Sequence, residues 1–176
     1  MTTSSYDPFE ETCNPLDSAE ELFQAHNWSF QRMNVDEVIA ELKTKTANYR
    51  LHFIWQEEHN ALLFACEYQK IAIHEDNMEQ LAATLMEINN RIWLGHFETN
   101  PHSKSPIFRH TSLFKGTDSS SGISHIEDLI DIALHECDRF HSAFQVLTED
   151  SLMHAAMLSD TAKHMDLALM DVAGRS

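Results

Sequence analysis

The sequence is poor in basic residues, glycine and cysteine, and each shortage sets aside a class of function. Only 12 lysines and arginines stand against 28 aspartates and glutamates, a formal net charge of −16 with histidine neutral. Phosphate backbones are held by clustered Lys and Arg. No such cluster runs along this chain, so direct nucleic-acid binding is not expected, and attachment to an anionic membrane surface fails for the same reason. The four glycines show neither GxGxxG nor P-loop spacing, and no GxSxG elbow presents a nucleophilic serine. Cys13, Cys66 and Cys137 are odd in number and lack CxxC spacing, which argues against a disulfide framework or a zinc site and for a reducing, cytoplasmic setting. No apolar run approaches the ~20 residues of a membrane span. The opening MTTSSYDPFEET lacks the basic start and apolar stretch of a secretory signal.

What remains is 176 residues with 43% hydrophobic content, too apolar for a disordered chain and of single-domain length. Residues 1–13 read as a disordered arm, residues 14–147 as one domain, and residues 148–176 as a C-terminal helix and tail. Asn14 caps a first helix with Pro15 at its first position, and Leu16, Ala19, Leu22 and Phe23 form the apolar stripe. From Trp28 the period becomes alternating. Phe30 opens a short strand, Val38, Ala40 and Leu42 line one face of a second, and Tyr49, Leu51, Phe53 and Trp55 line a third. Leu62, Phe64, Cys66 and Tyr68 continue that face on the return.

A helix is predicted from about His74 to Ile92, stopped by a left-handed Gly95. A hairpin follows from Trp93–Thr99 to Pro106–Phe114. The Gly116–Gly122 stretch reads as a breaker, and a long helix then carries Ile126, Leu129, Ile130, Ala133, Cys137, Phe140, Phe144 and Leu147. Runs of strands flanked by helices predict an α+β fold, an antiparallel sheet of five to six strands with helices on one side.

Histidine is abundant, with 12 in the chain. A zincin helix needs two histidines four apart. His135 and His141 are six apart, about 240° around a helix, so the motif fails. His96, His102 and His110 flank the second hairpin, but no carboxylate or cysteine at ligand spacing supports a metal site there. Trp93, Leu94 and Phe97 surround Gly95 and form either core or the wall of a pocket. Met153, Met157, Met165 and Met170 crowd the last 24 residues, and flexible thioethers suit an adaptable partner surface as well as helix packing.

Taken in order, NPLDSAEELF, the Trp28–Arg32 strand, WLGHF, FRH and LIDIALHECDRFHSAFQ resemble the YbjN domain family of bacteria, from about Asn14 to Gln145. The resemblance implies a fold like that of type III secretion chaperones and a sensory-transduction regulator without a recognised catalytic motif. On that basis the chain is expected to be a non-enzymatic regulatory or chaperone-like domain, without cofactor or metal, that binds a protein or peptide segment and pairs as a homodimer. A small-molecule sensor is the first rival, and a metal-dependent hydrolase assembled from distant histidines is the second.

Overall fold

The computed structural model describes residues 14–114 and 119–148. Helix α1 (Pro15–Ala25) begins where Asn14 Oδ1 accepts the Leu16 N–H at 3.0 Å, and Pro15 brings no N–H that needs a partner. Asn14 Nδ2 also donates to the Val35 carbonyl at 3.0 Å, so the cap ties helix to hairpin. Arg32 makes a second tie. Its guanidinium donates to Glu20 at 2.7 Å and Asp17 at 3.3 Å on α1, and to the carbonyls of Asn34 and Val35.

Strands β1 (Ser29–Asn34), β2 (Glu37–Lys43), β3 (Asn48–Gln56) and β4 (Ala61–Gln69) form a meander, and the hairpin of β5 (His96–Thr99) and β6 (Pro106–Leu113) extends the sheet through β6. All pairs are antiparallel, in the spatial order β1-β2-β3-β4-β6-β5. The fold is α+β, as the sequence pattern predicts. Tyr49, Leu51, Phe53 and Trp55 lie opposite Tyr68, Cys66, Phe64 and Leu62, and all eight are buried. Each large apolar side chain buried this way stabilises the fold by about 1.5–3 kcal/mol. A one-residue slip of register would turn the whole set into water. The β3–β4 connection is a 3-10 turn at Glu57–His59, closed by Asn60 in the left-handed conformation (φ 49°), which asparagine tolerates.

Helices α2 (Met78–Asn89) and α3 (Ser119–Val146) join α1 in covering one face of the sheet. Ile126, Leu129, Ile130, Ala133, Cys137, Phe144 and Leu147 of the α3 stripe are buried in the common core, and Phe140 is half-buried beside it. The Leu147 carbonyl just beyond α3 accepts from the His74 N–H and Asn77 Nδ2, which anchors that end.

Three sequence expectations need correction. The second helix spans Met78–Asn89, shorter than His74–Ile92, because a 3-10 turn occupies Glu75–Asn77 and the Asn89 side chain clamps the backbone N–H and carbonyl of Phe97 at 2.7 and 3.0 Å. Gly95 has the predicted positive φ (70°) but stands beyond the helix, just before β5. A Cβ there would lie 2.5 Å from the Phe108 ring and 2.6 Å from the Arg109 carbonyl oxygen, so close approach demands the glycine. Gly122, read as part of a breaker, lies inside α3, where it faces Ser18 of α1.

Candidate functional site

The strings that single out this sequence converge in space, and their side chains hold the fold together. Within ECDRF, Glu136 is buried and paired with Arg139 at 3.2 Å, and Arg139 lies over the Phe140 ring. Cys137 Sγ meets Cys66 Sγ of β4 at 3.9 Å. Asp138 accepts the Tyr49 hydroxyl at 2.8 Å, and the Tyr68 hydroxyl donates to the Cys137 carbonyl. Burial, reinforced by these neighbours, pushes the Tyr49 and Tyr68 hydroxyls and the Cys66 thiol well up, so all three stay protonated at neutral pH. From WLGHF and FRH, Phe97 packs edge-on against Phe108 and Phe140. The helix is thereby locked to the sheet. Sequence periodicity placed Tyr49 and Tyr68 on the core face but missed their partners. The available signal was that a buried tyrosine hydroxyl needs an acceptor.

The other face of the sheet presents a different surface. Among the described residues no helix covers it. Ile54 (38% exposed) sits opposite Leu63, and His52 sits opposite Ile39 on one side and Ala65 on the other. These residues make an apolar centre around one imidazole. Burial holds His52 below its ordinary range, with Glu67, 3.8 Å away, pulling it upward. Arg50–Glu41 and Arg109–Glu98 ion pairs rim the centre. Toward the outer strand β1, the face opens into a recess of about 430 Å3 lined by Phe30, Gln31, Met33, Ile39 and Arg50 among others. Met33 in its lining and Val35 beyond it are strongly exposed. β1 pairs only with β2 and leaves its outer edge unpaired among the described residues.

The residues singled out from sequence fall in different places. Trp93 is 75% exposed, Leu94 is half-buried against the core, and Phe97 is 2% exposed inside it. The three therefore do not share one environment. Met153, Met157, Met165 and Met170 lie outside the described residues. His96 pairs with Glu98, His102 is exposed in the β5–β6 connection, and His110 is half-buried. Burial holds His110 low, assisted by the charges of His125 and His96. Among the described residues, no three His, Cys, Asp or Glu side chains gather as metal ligands. No described helix is long and apolar enough to cross a membrane.

Fold and surface together define an α+β domain with an open-faced antiparallel sheet, its helices locked to the opposite side. The family model YbjN, described as "putative bacterial sensory transduction regulator", matches residues 15–146, and the chain belongs to that family. The crystal structure of YbjN from E. coli, described as a putative transcription regulator, is similar in fold. Its TM-score is 0.51 at 12% identity, covering 73% of this chain and 92% of that one. A comparison with curated proteins found no match.

Proposed function

We propose that this chain is a non-enzymatic, cytoplasmic regulatory domain that binds an extended protein or peptide segment across its open sheet face and along β1. The observation that carries this reading is the bare apolar centre of Ile39, Ile54, Leu63 and Ala65, continuous with the recess at the free β1 edge. An extended segment added to an edge strand gains backbone hydrogen bonds, while alternate side chains enter surface recesses. The net charge of −16 favours a basic segment over an acidic one. Type III secretion chaperones, whose fold the family resemblance implies here, also bind polypeptide segments, and the regulator description of the family agrees with a binding role.

The test uses a variant carrying Ile54→Glu and Leu63→Glu, both on the uncovered face. Wild type and variant, shown by circular dichroism to fold alike, are compared in capture from lysate and in amide exchange of β1 with any captured segment. A polypeptide held by wild type, protecting β1 amides and lost in the variant, supports the reading. Equal capture by both proteins overturns it. A version ending at Thr148 reports whether the methionine-bearing C-terminal residues add a second contact. A second copy of this chain, the expected homodimer, would show as a concentration-dependent mass that the variant loses.

A further inference from the structure

At the end of the sheet, where β2 turns into β3, a recess of about 320 Å3 is lined by Lys43, Lys45, Lys70, Asn48, Gln69 and His141, among others. We infer that it binds a small phosphate-bearing anion. Three of the chain's six lysines meet there, in a protein that carries 28 acids, yet among the described residues no Asp or Glu lines the recess. Residues 42–56 contain no acid at all. Among the described residues, none of the three lysines has a carboxylate within ion-pair distance. The nearest acid along β2, Glu41, already accepts from Arg50 and Gln69, each at 3.4 Å.

Like charges gathered in one concavity repel one another, and a bound anion relieves that repulsion while gaining charge-assisted hydrogen bonds. The histidine gives an independent sign. His141 reaches the recess from α3 with its ring beside Tyr68, and its Nδ1 is buried with no hydrogen-bond partner among the described residues. Buried polar atoms ordinarily find partners, so this nitrogen marks an unmet hydrogen-bonding demand just behind the recess wall. The side-chain amide of Asn48 supplies N–H groups in the same lining.

Size and surroundings limit the ligand. The volume sits at the lower end of small-molecule sites, and the acidic remainder of the surface repels a long phosphate backbone. The recess therefore suits one phosphate or pyrophosphate group on a small molecule. It is separate from the apolar sheet centre, so this inference and the proposed polypeptide binding stand or fall independently.

The experiment titrates the full chain with inorganic pyrophosphate and with ATP at fixed ionic strength, by calorimetry and thermal unfolding. The proteins are wild type, a K43Q/K45Q/K70Q variant and a K104Q control on the β5–β6 connection. The lysines are exposed, so the triple variant should fold normally, and a K45Q single variant serves if it does not. The expected result is saturable binding of both probes to wild type, with a melting point that climbs with probe concentration. Affinity should fall about tenfold or more in the triple variant and stay unchanged in K104Q. No binding to wild type at millimolar probe, equal binding by the triple variant, or an equal loss in K104Q each overturns the inference. ATP binding that survives the triple variant, with pyrophosphate ignored, assigns recognition to the base and overturns it as well.

Discussion

Replacing Gly95 with alanine and, separately, Gly122 with alanine makes the same chemical change in two places, and the structure predicts opposite signs. At Gly95 the backbone is left-handed (φ 70°), and the added Cβ would lie 2.5 Å from Phe108 Cζ and 2.6 Å from the Arg109 carbonyl oxygen. The left-handed conformation costs a residue bearing a Cβ roughly 1–2 kcal/mol. Forcing a methyl into packed core costs about 1–3 kcal/mol more. G95A should therefore lose about 2–5 kcal/mol, a large part of the ~5–15 kcal/mol that holds such a domain folded. At Gly122 the backbone is helical, and the nearest atoms to a new Cβ are Ser18 Oγ at 3.5 Å and Phe114 Cε1 at 3.9 Å, ordinary contact distances. Alanine then removes only the helix penalty of glycine, a gain of about 0.5–1 kcal/mol. Equilibrium unfolding in urea at pH 7, followed by circular dichroism, measures both, and the melting points should move by roughly 2–4 °C per kcal/mol. The reasoning fails if G95A matches wild type, or if G122A is less stable than wild type.

Further outcomes follow from other residues. Asn14→Ala removes both the α1 cap and the bond to Val35 and should cost about 1–2 kcal/mol in urea unfolding, whereas Asn14→Asp, which keeps the acceptor, should recover most of it. Burial keeps His52 below 6.5 in the folded chain. Above that pH neither state holds the proton; as pH falls through 6.5 the unfolded chain takes it up first, so stability declines. His52→Gln should flatten that decline between pH 7.5 and 5.5, and an unchanged slope counts against the assignment. Cys66 and Cys137 are fully buried in contact, with the Cys66 thiol pushed up by burial. Their reaction with an aromatic disulfide reagent should be slow in native buffer and immediate in denaturant. Prompt modification of both in native protein would contradict the packing.

The parts of the fold legible in the sequence are those fixed by period. Tyr49 to Trp55 and Leu62 to Tyr68 alternate because one face is core, and Ile126 to Leu147 repeat at helical spacing because one stripe is core. Asn14 and Pro15 were readable because a cap is a local device. What failed depended on residues distant in sequence. Gly122 sits within a helix with Ser18 of α1 beside it, and Gly95 serves Phe108 rather than the end of α2. Trp93, expected beside Phe97, stands in water because β5 begins only at His96. The open face was present as the second parity of the strands. Nothing local showed that no described helix would cover it. Lys70 joins Lys43 and Lys45 only after two hairpins have folded back, so a chain without a basic run still assembles a basic recess.

The position of α1 bears on synthesis. Its apolar residues Leu16, Ala19, Leu22 and Phe23 emerge well before α3, but part of their cover comes from α3, as the approach of Ser18 to Gly122 and of His26 to Glu127 shows. Between Phe23 and Ile126 the ribosome must add 103 residues, which at typical rates takes roughly 5–20 s. During that interval β2, β3 and β4 can each pair with the strand before it, and β5 must await β6, while α1 waits with a greasy flank only half covered. A growing chain of this kind is therefore exposed to aggregation through α1. Pauses placed before α3 should lower its yield more than pauses placed within the hairpins.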